Sequence, residues 1–236
     1  MRIWIILLLT FVLSGCNSNP SRSFKVENLA KSDVDMVTDL HRQHLKDYSQ
    51  QLLFKFYKRN PRELKKQPGA TTASRMAQLF PAVRKDENHR PLPRVRYAEL
   101  NNLDSVDAIG LAFAADFKGD RVFALMAGIT GMLNASYNHR YSFYLTDKLD
   151  QQKLYRSARN LETVAWLLRS RKDEKGVPLI LSNGTTADGV ENLSFERLLG
   201  KMIANQDLLA QIIADSSNRT LNRVIHGAAS MTLLPI

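Results

Sequence analysis

Few groups in this chain could do covalent or metal chemistry, and spacing decides how each is read. There are five histidines and one cysteine. His41, His44 and Asp47 recur every third residue, which on a helix places them along one face, as a metal site would require. No HExxH-type context accompanies them, so they read as solvated or core-flanking residues, and neither metal nor cofactor is assigned. His139, beside Arg140 in a polar gap between apolar segments, is the one histidine whose setting would matter to a reaction. A hydrogen-bonded structural histidine is its plainer reading. Glu162 with Asp173, or Glu191 with Glu196, are arbitrary pairs from a chain holding 23 acidic residues. The G-x-S-x-G, dinucleotide and zinc signatures are absent, and residues 176–189 lack the Gly-Lys-Ser/Thr of a P-loop. No catalytic residue is assigned.

The cysteine has a more specific setting. Arg2 gives a positive start, residues 3–13 are apolar except for Thr10, and Leu13-Ser14-Gly15-Cys16 closes the run. The pattern is that of a signal peptide. Its ending resembles the lipobox of bacterial lipoproteins. The resemblance covers the leader alone. It implies a thioether-linked diacylglycerol on Cys16, cleavage before it, and acylation (palmitate-type) of the new amino group. A plain secretory site would leave the cysteine unexplained, and an uncleaved spanning helix would need ~20 apolar residues. Two or three acyl chains anchor stably where one would not. In Gram-negative lipoproteins of this kind an aspartate after the cysteine favours inner-membrane retention. Here that residue is Asn17, which implies the outer membrane, facing the periplasm, over the inner one. Residues 16–32 then form a lipidated, flexible tether rich in serine. With its thiol consumed, the mature chain has no disulfide, and stability must come from a core.

Charge is the next signal. The net charge is +10, and acids and bases balance both before residue 55 and after residue 96 of the mature chain. Residues 55–96 hold twelve Lys/Arg against Glu63, Asp86 and Glu87. Such a local excess attracts anions. The candidate binding residues are Arg59, Arg62, Lys65, Lys66, Arg84, Lys85, Arg90, Arg94 and Arg96. The anionic partners at this address are lipid head groups, cell-wall material and acidic envelope proteins. Head groups attract basic segments at roughly 1 kcal/mol per cation. No nucleic-acid motif is present, and the address argues against that partner. Plain solvation of the charges is the alternative.

The elements that must position these groups are helical. A first helix is expected over 33–59, with Ser32 and Asp35 as a capping box and Val34, Val37, Leu40, Leu45, Tyr48, Leu52 and Phe56 as its apolar face. Asn60 can cap a further turn with Pro61 at its first position and Glu63 at its third. Thr71 or Thr72 caps a short helix ending at Phe80-Pro81, and residues 82–95 are too rich in proline for helix or central strand. The centre is expected to be a hairpin over 104–135. Asp104 and Asp107 cap its first arm, which runs through Phe117, and Asp120 caps the second. Gly110 and Ala114 on one arm, with Ala124/Gly128 and Ala127/Gly131/Ala135 on the other, would let the backbones approach closely. Each arm is too short, and its turn too charged, for insertion into a bilayer. Residues 137–145 allow a short strand or a connector, and Thr146 opens a long helix to Arg171. The run 177–182 could pair as an edge strand. Ser194 starts another helix, residues 220–229 form a last one, and the tail 231–236 packs back.

These readings converge on an all-α domain over 33–236, with about six or seven helices around a small-residue-rich hairpin and room for one minor strand pair. The functional expectation is an envelope adaptor or assembly factor that binds through the basic segment. The rival is a peptidoglycan-type hydrolase with an unrecognised site. A buried cleft joining His139 to carboxylates would favour the hydrolase. A closed core beneath a basic strip would favour the adaptor.

Overall fold

The computed structural model describes residues 29–82, 91–185, 188–218, 220–221 and 232–236. By contact the chain divides into residues 1–30 and 31–236, and everything below concerns the second unit. Cys16, the tether to residue 28, Arg84, Lys85, Arg90, Met231 and most of the expected last helix lie outside the described residues.

The fold is all-α. Its helices are α1 (Asp33–Arg59), α2 (Pro61–Leu64), α3 (Thr72–Leu79), α4 (Ser105–Ala112), α5 (Arg121–Ser136), α6 (Gln151–Ser170) and α7 (Ser194–Ser216). A 3-10 turn at Ala98–Leu100 precedes α4. One antiparallel pair, β1 (Gly184–Thr185) with β2 (Glu191–Asn192), joins α6 to α7 and matches Gly184 to Asn192 and Thr185 to Glu191. Residues 177–182 make only an isolated bridge, Lys172 with Pro178. Residues 137–149 are a connector.

α5 is the centre. Every residue from 121 to 130 is buried, because α4, α6, α1 and α3 all pack on it. Asp120 starts it, accepting from the Phe123 N–H at 2.9 Å. The hairpin differs from expectation in two ways. Its first arm stops at Ala112, five residues short of Phe117, because the Arg121 guanidinium donates to the carbonyls of Ala112 (2.8 Å) and Ala114 (2.7 Å). These are groups that further helix would have satisfied. Asp104 flanks that arm without a side-chain cap and instead accepts from Arg96 Nε at 3.3 Å. Close approach depends on Gly128, where a Cβ would come within 2.6 Å of the Ile109 nitrogen and 2.7 Å of the Ser105 oxygen. Gly110 meets nothing and is exposed.

α1 begins with the expected capping box: Asp35 N–H donates to Ser32 Oγ at 3.2 Å, and the Asp35 carboxylate accepts from the Ser32 N–H at 2.8 Å. Its buried face is shifted from the apolar one. Thr38, Arg42, Leu45, Ser49, Leu52 and Phe56 point inward, while Leu40 is 50% exposed. Asn60 does not cap α2. Its amide exchanges bonds with the Leu181 backbone (2.7 and 2.8 Å), tying the end of α1 to the segment before β1. α3 carries the Thr71–Ser74 capping box. α6 starts at Gln151 under Asp150, later than a Thr146 cap would have it.

Two polar networks sit inside the core. Arg75, 1% exposed, pairs its two terminal guanidinium nitrogens with Glu99 (2.6 and 2.7 Å), approaches Asp120 at 3.5 Å and stacks 3.8 Å over Phe123. Tyr57 donates to the same Asp120 at 2.7 Å. Burial pulls the Arg75 guanidinium down, but the Glu99 carboxylate outweighs this and holds it above its usual range. Between α5, α6 and α7, Gln206 accepts from Tyr137 (2.9 Å) and donates to Ser136 (3.1 Å) and Ser157. Of the tail, Asn160 exchanges bonds with the Leu234 backbone (2.6 and 2.9 Å), and Leu233 and Ile236 pack on the core.

Candidate functional site

Where α1 crosses the C-terminal half of α5, a cleft of about 190 Å³ opens. The segment 92–97 forms its other wall, and the end of α3 closes one side. Its floor is Ala127, Gly131 and Ala135 of α5. The small-residue row that suggested a helix contact thus mainly leaves space, although Gly131 also lies close to the N-terminus of α4, where a Cβ would come 3.0 Å from the Ser105 nitrogen. Leu45, Leu79, Phe80 and Leu92 make the wall apolar.

Among the described residues, three cations line this cleft, and one carboxylate side chain, Asp104, does so. Arg42 is 8% exposed. Its Nε donates to the Arg140 carbonyl at 3.2 Å and a terminal nitrogen to Asn134 Oδ1, and the guanidinium faces the Tyr137 and Tyr141 rings at 5.2 and 6.0 Å. Among the described residues no carboxylate pairs with it. Burial lowers its affinity for the proton, and the two tyrosines act in the opposite sense. Lys46, one turn along α1, donates to the Tyr141 hydroxyl at 3.0 Å. Arg94, exposed on the facing segment, donates through Nε to His139 Nε2 at 3.2 Å.

His139 is set by an unusual backbone. Asn138 and His139 both have positive φ, 51° and 56°, just past the end of α5. The His139 N–H returns to Asn134 at 2.7 Å, and its carbonyl accepts from the Leu92 N–H, which holds the facing wall in place. With Arg94 donating to Nε2, the ring proton belongs on Nδ1, and that atom is buried with no partner among the described residues. Burial, then Arg94, Arg42 and Lys153, push His139 below the ordinary histidine range, against a weaker pull from Asp104.

The cleft brings His139 together with Arg42, Lys46 and Arg94 and with Asp104 and Ser105. Asp104 pairs with Arg96 and His139 with Arg94, so among the described residues no base-and-orienter relay is assembled. Of the nine proposed basic residues, Arg59, Arg62, Lys65 and Lys66 are exposed around α2, where Lys66 pairs with Glu63 (2.7 Å) and donates to the Gly119 carbonyl. Those contacts lie at the N-terminal end of α5, and Arg94 lies at its C-terminal end, separated by roughly 20 Å of helix. Arg96 is exposed against Asp104 at 3.3 Å. Arg84, Lys85 and Arg90 lie outside the described residues. Of the six that are described, Arg94 lines the cleft, and the four around α2 lie away from it.

Arg42 and Lys46 were missed because they lie in the part of the chain where charge balances. A signal existed: Arg42 falls on the inward seam 38, 42, 45, 49, 52. His41 donates to the Asn205 carbonyl at 3.2 Å and His44 packs by Tyr48 with ring centroids 6.0 Å apart, so the two are separately engaged. Among the described residues no three His, Cys, Asp or Glu side chains converge on a common metal position. No described helix is long and apolar enough to cross a membrane. Comparisons with protein-family models, with curated proteins and with solved structures find no match for the chain.

Proposed function

We propose that this chain is a lipoprotein, anchored through Cys16 to the periplasmic face of the outer membrane, that works by binding an anionic group in the cleft at Arg42, Lys46 and Arg94. The observation that carries the binding role is Arg42, a buried guanidinium lining a cavity and, among the described residues, paired with no carboxylate; the Asp104 side chain that lines the same cavity is engaged by Arg96. A charge so placed costs several kcal/mol when unpaired, and two more cations beside it deepen the attraction for an anion. Arginine also presents a planar fork suited to carboxylate or phosphate. The anchor rests on the leader alone. It fixes which anions are close at hand: lipid head groups, cell-wall carboxylates and acidic proteins. A hydrolase is the weaker reading because His139 is held by Arg94 and, among the described residues, no carboxylate hydrogen-bonds to it.

Thermal denaturation in phosphate, sulfate and acetate at constant ionic strength tests the binding role. A specific site gives a saturable rise in Tm, since a ligand stabilises by RT ln(1 + [L]/Kd), and Arg42→Gln removes it. An equal rise in the variant would overturn the assignment. For the anchor, intact mass after expression with the native leader should show an acylated chain beginning at Cys16, and Cys16→Ala should release the protein from the membrane fraction.

A further inference from the structure

The cleft is more than a cationic spot. Arg42, Lys46 and Arg94 share it with Leu45, Leu79, Phe80, Leu92 and Ile236, so cations and apolar side chains line one cavity. A free inorganic anion would leave that lining against water. A macromolecular partner would need a far larger contact than a hollow of about 190 Å³ offers. The combination of buried guanidinium and apolar wall matches a small molecule that is itself divided into charge and hydrocarbon. The His139 ring lines the same cavity, and its Nδ1 is buried with no hydrogen-bond partner among the described residues.

Resting on the anion-binding reading above, we propose that the ligand is a single-chain anionic amphiphile, its head group held by Arg42, Lys46 and Arg94 and its chain lying along Leu45, Leu79 and Leu92. A carboxylate and a phosphate head share the chemistry that the arginines recognise. The first would come from a free fatty acid and the second from a phospholipid that has lost a chain. The nearby membrane is the source of both, and binding requires no bond to be made or broken.

The experiment is isothermal titration of the purified mature protein with two series below their critical micelle concentrations. One series is the alkyl carboxylates from acetate to decanoate, and the other is the corresponding alkyl phosphates. Decanol serves as the uncharged control. Affinity is expected to rise by up to about fourfold per methylene until the wall is covered, the fold-change equivalent of burying one methylene, with decanol at least tenfold weaker than either anion. Which series is tighter identifies the head group. Arg42→Gln should weaken both series tenfold or more at every length. Leu92→Asn, in a loop and so mild for folding, should flatten the chain-length slope. Should short anions bind while chain length has no effect, the amphiphile is excluded and simple anion binding stands. Should no anion bind, both readings fall. A slope unchanged by Leu92→Asn, in a variant with wild-type circular dichroism, would also refute the chain position.

Discussion

A buried arginine with no opposite charge beside it is expected to cost the fold stability, and Arg42 makes that expectation testable. Desolvating a guanidinium is recovered only through good hydrogen bonds and an opposite charge. Arg42 has the first, from Asn134 and the Arg140 carbonyl, and among the described residues lacks the second. Replacing it with methionine of similar length should therefore leave the ligand-free protein as stable or more so, the pattern expected of functional residues. Urea denaturation measures this, and a loss above about 1 kcal/mol would mean that Arg42 serves the fold instead. Arg75 predicts the opposite. It lies inside the basic stretch yet is buried and paired, so Arg75→Met strands the Asp120 and Glu99 carboxylates. The expected loss is about 3 kcal/mol, and Asp120→Asn in the same chain should return part of it. His139 gives a pH prediction. Its folded pKa lies below the ordinary value near 6.5, so unfolding takes up a proton between the two values. Its contribution is complete above about pH 6.5 and is lost as pH falls through that window. His139→Gln should shrink the fall in urea midpoint between pH 7.5 and 5.5, and an unchanged difference would contradict the placement.

At the scale of elements, the small residues divide into two working sets. Gly128 lets α4 reach α5, so Gly128→Ala forces a backbone contact and should cost about 1–3 kcal/mol. Gly110 touches nothing in the interior of α4, so Gly110→Ala should gain about 0.5–1 kcal/mol. The two urea curves should move in opposite directions. Sequence spacing reveals that small residues recur but not which of them meets a neighbour, because that depends on the rotation of a second helix. The same limit explains the caps. Ser32, Thr71 and Asp120 cap as their local pattern implies, since the bonds close within three residues. Asn60 and Asp104 are drawn off by Leu181 and Arg96, distant or looped partners that local pattern does not encode. Arg121 likewise ends α4 early by a contact made only after the hairpin folds.

For the whole molecule, the helical class and its central buried hairpin were legible because apolar periodicity and buried all-round helices are sequence properties. The cleft was not. It arises where α1 turns a polar-looking seam, Thr38 to Ser49, toward the open side of α5, and where segment 92–97 is pinned across it by the His139 carbonyl. Net charge pointed to residues 55–96, yet among the described residues the site takes one cation from there and two from a stretch of no net charge. The central claim, that an anion enters this cleft, is tested most directly by nitrogen-15 spectra of the arginine Nε–Hε groups during titration with decyl phosphate. Arg42 and Arg94 should shift together and saturate at one Kd, with Arg59 and Arg62 unmoved. Shifts confined to Arg59 and Arg62, or shifts that never saturate, would contradict it.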